Sequence, residues 1–193
     1  ALAAHQELDE LHRDISVTKD GSIVAYGMIP TAGDSITETI AHHCLVDFNA
    51  AEKIKRDMGE MEEVTFEDIM GLPQTYKSEE LARIVEPAIA SMAKQAADKI
   101  RELNGDRPVS AVFVVGGGGK IDGYTEGLAR ELGIQVERVA LRGEEVMQKI
   151  EFLETEVKKD SLLVTPIGIC LSFYEQNNNF IYVSFNDERV KLY

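Results

Sequence analysis

An α/β fold with a small α+β insertion is predicted by three features of the 193-residue chain. First, an all-apolar run, Ala111-Val112-Phe113-Val114-Val115, passes through Gly116-Gly117-Gly118-Gly119 into a helical segment ending at Gly133, followed by the strand pattern Ile134–Val139. Strand, helix, strand in that order is a βαβ unit, whose parallel strands are covered on both faces and read as unbroken apolar runs. Second, apolar residues from Leu81 to Leu103 keep the three-and-four spacing of one long helix. Third, residues 60–78, acidic and then loop-like around Gly71-Leu72-Pro73, interrupt the pattern as an insertion would.

The elements follow in chain order. Residues 14–30 form a hairpin pattern, because Asp20-Gly21 stands between the β-branched runs 14–18 and 23–29 and glycine accepts a positive φ without strain. Ser35 with Glu38 reads as a capping box opening a helix that buries Ile36, Ile40 and Cys44. Asn49 with Glu52 reads as the same cap on a shorter helix, which stops at Gly59 and places Glu52 and Lys55 one turn apart on one face. A short strand is expected at Val64–Phe66. Ser78 is the expected cap of the long helix, and Pro87 is expected to kink it or open its second half. After the βαβ unit come a polar helical stretch over Glu144–Lys159, a helix over Ile167–Tyr174 led by Thr165-Pro166, and a hairpin over 180–193 cut off in its second strand.

Composition narrows the function classes. A formal net charge of −14 removes the counterion-displacing attraction on which non-specific nucleic-acid binding depends, and an anionic membrane surface repels the chain for the same reason. A nucleotide stays compatible, since backbone amides and one or two local cations hold phosphates on an acidic protein. Cys44 and Cys170 lie far apart among apolar neighbours without ligand spacing, the pattern of inert thiols in a reducing cytoplasm. His42 and His43 point about 100° apart on a helix and make a poor metal pair. No run of 18 apolar residues exists, and Ala1–Arg13 lacks the basic start and apolar stretch of a secretion signal.

The glycine run carries the chemistry. A strand that ends in four glycines and feeds a helix brings bare amides to a helix N-terminus, where the dipole favours an anion and no Cβ blocks close approach. Each glycine costs roughly 0.5–1 kcal/mol of backbone entropy relative to alanine in regular structure. A tight strand-to-helix turn is the plain alternative. The P-loop spacing fails, with Val114 in place of the first glycine and Ile121 in place of the Mg²⁺-binding hydroxyl. The dinucleotide fingerprint survives only as the loose series Gly117, Gly119, Gly123 with Glu137, too late in the chain for the oxidoreductase it would imply.

Three segments in order and spacing, Ile29-Pro30-Thr31-Ala32-Gly33-Asp34, Ala51-Glu52-Lys53-Ile54-Lys55 and Val115–Ile121, resemble the second half of the actin-like ATPases of the sugar kinase/DnaK/actin superfamily. Among these the match is nearest to the cell-division FtsA family, with the pilus-assembly PilM and ethanolamine-utilisation EutJ families as relatives. The similarity runs over about residues 14–171 and includes Val164–Gly168. It implies an actin-like (ribonuclease H-like) lobe with a small inserted α+β subdomain. Residues 1–59 and 104–174 would form the nucleotide-binding subdomain, 60–103 the insertion and long helix, and 175–193 the start of a following β domain.

The same resemblance assigns an ATP or ADP site, with Mg²⁺ in the full-length protein and no catalytic residue in this chain. Gly116, Gly117, Gly118 and Gly119 would pass beside the base and α-phosphate, with Lys120 near the adenine. Glu52 and Lys55 would reach the ribose hydroxyls and adenine, a carboxylate accepting the hydroxyl protons and an ammonium holding it in place. A solvent-exposed ion pair, with Glu52 also capping its helix, is the plain alternative. Gly33 and Asp34 match the family's Gly-Gly-Asp turn, with Ala32 replacing one glycine, and Asp34 serves equally as a helix cap. One departure stands out: Leu8–Arg13 occupies the place of the family's Asp-x-Gly-Gly-Gly-Thr phosphate loop. The first lobe, which positions Mg²⁺ and the attacking water, lies outside the match, so this chain alone is not expected to hydrolyse ATP. The implied partners are an adenine nucleotide, further copies in an oligomer or filament, and proteins of division or envelope assembly, at a cytoplasmic location peripheral to the inner membrane through other parts of the parent. A scaffold that keeps the fold without using nucleotide and an EutJ-like chaperone are the alternatives.

Overall fold

The structure is a computed structural model, and it describes residues 13–19, 22–115, 117–142, 150–152, 167–171, 182–185 and 188–192. The chain divides into two units, Ala1–Val112 with Ile121–Val139, and Phe113–Lys120 with Ala140–Tyr193.

The first unit begins with the expected hairpin. Strands β1 (Arg13–Lys19) and β2 (Ser22–Ile29) pair antiparallel from Arg13↔Ile29 to Lys19↔Ser22, with a register shift between Val17 and Thr18. Asp20 and Gly21, the expected turn, lie outside the described residues. Period-two alternation turns Ile15, Val17, Ala25, Gly27 and Ile29 to the more buried side.

Helix α1 (Asp34–Cys44) buries Ile36, Thr37, Ile40 and Cys44 on one stripe. The Ser35–Glu38 capping box does not form. The helix starts two residues earlier, behind Gly33, and the Ser35 hydroxyl donates back to the Ala32 carbonyl at 3.1 Å instead of capping. Asp34 sits in the first turn, where a carboxylate favours the dipole but caps nothing. Helix α2 (Phe48–Asp57) is capped by Asp47, whose Oδ1 accepts the Ala50 N–H at 2.8 Å. The expected Asn49–Glu52 cap is therefore wrong by two residues, and Glu52 is free of any capping duty. A carboxylate at the true boundary outcompetes an amide inside the first turn.

The insertion is a full hairpin. Strands β3 (Glu63–Glu67) and β4 (Pro73–Lys77) pair antiparallel from Glu63↔Lys77 to Glu67↔Pro73. Asp68 organises the loop, its Oδ1 accepting the Met70 and Leu72 N–H groups at 2.9 and 3.0 Å and its Oδ2 the Gln74 amide at 3.0 Å.

Helix α3 (Ser78–Asn104) is the spine, burying Leu81, Val85, Ile89, Met92, Ala93, Ala96, Ala97 and Ile100. Pro87 lies inside this single helix rather than opening a second half. Ser78 is the first helical residue, not the cap: its hydroxyl donates to the Met61 carbonyl and its N–H to the Glu62 carbonyl at 2.9 Å, tying α3 to the segment before β3. Glu80 accepts the Lys77 N–H at 3.2 Å. Both β1 and β2 pack on α3, and a Cβ at Gly27 would meet the Lys99 stem at 2.9 Å. Helix α1 packs against both α2 and α3.

Helix α4 (Tyr124–Leu132) packs on α3, with Gly127 opposite Ala93, where a Cβ would stand 3.2 Å away. It begins four residues later than expected, since Gly117–Lys120 forms a 3-10 turn. Of the strand expected at Ile134–Val139, Val136–Arg138 is a 3-10 turn, and the strand itself, β6 (Val139–Leu141), pairs with β5 (Val112–Val114).

In the second unit, β7 (Ile150–Phe152), β8 (Tyr182–Phe185) and β9 (Glu188–Leu192) form an antiparallel sheet in the order β7–β9–β8. The terminal hairpin is thus present as β8–β9. Ile150-Glu151-Phe152 overturns the helical reading of that part of 144–159, because its apolar-polar-apolar alternation suits a strand; the rest of 144–159 lies outside the described residues. Residues 167–171 are helical around the buried Ile167, and 172–174 lie outside the described residues. Among the described residues no helix is long and apolar enough to cross a membrane.

Candidate functional site

The loop after β2 carries Gly33, which accepts the first hydrogen bonds of α1 from the Ile36 and Thr37 N–H groups at 3.2 and 3.3 Å. Thr37 lies one turn on, fully buried. From α2, Glu52 and Lys55 project at i and i+3 toward this same turn. The Lys55 ammonium donates to Thr37 Oγ1 at 2.7 Å, to the Gly33 carbonyl at 3.4 Å and to Glu52 Oε1. Thr37 Oγ1 also donates to Glu52 Oε1. Three of the sequence-predicted site residues, Gly33, Glu52 and Lys55, therefore meet at one point. Asp34 is adjacent in chain but belongs to the helix start.

Ion pairs on open surfaces contribute little. This one differs because Lys55 and Glu52 are 20% and 31% exposed and share a buried hydroxyl. Burial pushes the Glu52 carboxyl up, but hydrogen bonds from Lys55 and Thr37, with the positive charges of Lys55 and Arg56, outweigh it and hold the group below its usual range. A carboxylate lowered on folding adds stability that is fully present above its unfolded pKa of about 4.3 and is lost as pH falls through the folded value. The stability difference between wild type and Glu52→Gln is expected to be largest near neutral pH and to shrink in acid. Urea titrations at pH 7 and pH 3 read it directly, and a gap independent of pH would show that Glu52 is not held charged.

The other predicted residues fall in the second unit. Gly117, Gly118, Gly119 and Lys120 form the 3-10 turn, and Gly116 lies outside the described residues. Gly119 is buried, and a Cβ there would stand 2.6 Å from both Val114 Cγ1 and Leu141 Cδ1. Its lack of a side chain is demanded by the packing of the turn on its own strands. In the same unit, Phe113 is 62% exposed and carries the Arg142 guanidinium 5.3 Å from its ring centroid.

Sequence reasoning missed Thr37. The signal was a hydroxyl on the apolar stripe of α1 beside Ile36 and Ile40, four residues after Gly33. Among the described residues no three His, Cys, Asp or Glu side chains gather to hold a metal ion. Glu52 Oε1 is taken up by Lys55 and Thr37, while Oε2 has no hydrogen bond among the described residues and can accept hydroxyl protons.

Comparison with known proteins bears on the family and the fold. The family model described as cell division protein FtsA matches residues 12–162. Among solved structures, the ethanolamine utilization protein EutJ from Carboxydothermus hydrogenoformans is 28% identical with a TM-score of 0.55, covering 83% of this chain and 46% of its own. A PilM-PilN type IV pilus biogenesis complex is 17% identical with a TM-score of 0.57, covering 84% of this chain and 43% of that one. MreB 5 of Spiroplasma citri, solved bound to AMPPNP, is 17% identical with a TM-score of 0.60, covering 87% and 52%. At 17% identity the last two speak for the fold alone. The chain spans just under half the length of the EutJ and PilM-PilN chains it matches. Comparison with curated protein sequences returned no match. With an α/β actin-like ATPase fold and a family model matching well over half its length, the chain belongs to the FtsA cell-division protein family.

Proposed function

We propose that this chain is the ATP- or ADP-binding C-terminal lobe of an FtsA-like protein, cytoplasmic and peripheral to the inner membrane through other parts of its parent, in which nucleotide state is coupled to assembly or partner binding. The observation that carries the reading is the cluster of Glu52, Lys55 and Thr37 on Gly33, which leaves one carboxylate oxygen for ribose hydroxyls. Gly116–Gly119 and Lys120 would supply the amides and cation beside the base and α-phosphate, and Asp34 the carboxylate of the turn. Mg²⁺ would arrive with ATP, held by groups beyond this chain. Coupling follows if the lobe's arrangement differs with and without nucleotide, since a ligand shifts an equilibrium by its differential affinity for the two states.

Isothermal titration of the full-length protein with ATP–Mg²⁺ tests the reading. Saturable binding that Glu52→Gln weakens by about tenfold is expected, the loss of one charge-assisted hydrogen bond. Absence of binding removes it. The second reading, an actin-fold scaffold that does not use nucleotide, is favoured by Leu8–Arg13 standing in place of the family's phosphate loop and by the Lys55 ammonium being turned to acceptors within the protein. It predicts assembly unchanged by ATP, read by sedimentation.

A further inference from the structure

We infer that Thr37 is the positioning residue of this site: its buried hydroxyl fixes the Glu52 carboxylate so that one oxygen is held by the protein and the other is presented to the hydroxyls of a bound ribose. The inference rests on the nucleotide reading above and adds a residue that the resemblance did not assign.

Thr37 Oγ1 has one proton and accepts through its lone pairs. Two acceptors compete for that proton, the Gly33 carbonyl at 3.3 Å and Glu52 Oε1, which is nearer and charged. The charged acceptor wins, because a hydrogen bond to an ionised oxygen is about twice as strong as a neutral one. The Lys55 ammonium has three protons and meets three acceptors, Thr37 Oγ1, Glu52 Oε1 and the Gly33 carbonyl. Glu52 Oε1 thus receives two donors from the protein. Swinging the carboxylate away from Thr37 and Lys55 would break both, leaving a fully buried hydroxyl without its charged partner.

Neither Glu52 nor Lys55 could hold this orientation alone, since both are long side chains on a helix surface with several rotamers. Thr37 is β-branched and stiff at χ1, and it sits on the buried stripe of α1 between Ile36 and Ile40. It is the rigid member of the three. Thr37 acts through Glu52 and does not itself touch the ligand.

The test compares wild type, Thr37→Val and Thr37→Ser by titration with ATP–Mg²⁺ and with 2′,3′-dideoxy-ATP–Mg²⁺. Valine keeps the shape and removes the hydroxyl; serine keeps the hydroxyl. Wild type is expected to prefer ATP. Thr37→Val is expected to lose about tenfold on ATP and little on the dideoxy analogue, while Thr37→Ser retains the preference. The Glu52 carboxyl, followed by carbon-13 NMR, should titrate at higher pH in the valine variant and return in the serine variant. Thr37→Ala carries the same comparison if the valine variant does not fold. Equal weakening of both nucleotides, or no weakening of either, overturns the inference while leaving the nucleotide reading in place. Failure of wild type to bind ATP overturns both.

Discussion

Truncating Ile36 to alanine is expected to lower unfolding free energy by about 2–5 kcal/mol. The side chain is fully buried on α1, and α1 makes its contacts with both α2 and α3. Removing its outer carbons loses transfer free energy and leaves a cavity that three packed helices cannot easily collapse. The neighbouring residue is Thr37, so the same truncation also loosens the seat of Glu52 and Lys55. Ile23→Ala supplies the contrast: its side chain is 69% exposed on β2, and a change within about 0.5 kcal/mol is expected there. Urea midpoints at constant slope measure both. If Ile36→Ala unfolds at the wild-type midpoint, α1 is not the packed element described, and the site built on its first turn loses its support.

What the residues disclosed in advance follows a physical line. Long periodic patterns were legible: α3 reads from Leu81 to Leu103 because each turn returns an apolar side chain to one stripe, and the β1–β2 hairpin reads because β-branched alternation flanks Asp20-Gly21. Helix starts were not. Gly33, Asp47 and Lys77 precede their helices, whereas Ser35, Asn49 and Ser78 are the residues whose chemistry advertises a cap. Several polar residues compete at each boundary, and tertiary contacts choose among them. Ser78, for one, spends its hydroxyl on Met61 rather than on its own helix. Strand β4 was hidden because Pro73-Gln74-Thr75-Tyr76-Lys77 has few apolar residues; its pairing with β3 and the Asp68 loop define it.

The candidate site shows the same division. The Glu52–Lys55 spacing announces a shared helix face from sequence alone. That this face meets the start of α1, and that a threonine joins them, depends on how two helices pack across Val46-Asp47, which no local pattern encodes. A hydroxyl within an apolar stripe is more often a tolerated core residue bonded to its own helix. Thr37 indeed lies within reach of the Gly33 carbonyl, the ordinary outcome for a helical threonine.

Replacing Gly119 with valine is expected to destabilise the second unit by about 1–3 kcal/mol without any nucleotide present. The would-be Cβ collides with Val114 Cγ1 and Leu141 Cδ1 at 2.6 Å, nearer than side-chain carbons approach; the half-exposed Leu141 can turn aside, but β-branched Val114 is stiff at χ1 and carries most of the clash. Alanine already carries that Cβ, so Gly119→Ala should show a large part of the cost, and valine adds two methyl groups to the same space. This separates two reasons for a glycine run that a sequence presents as one. A glycine kept for ligand approach is replaceable in the free protein and fails on binding; a glycine kept for packing fails in the free protein. Thermal unfolding of the ligand-free variants decides for position 119: unchanged midpoints for both would mean that the turn has slack, and that its bare backbone must then be explained by what it binds.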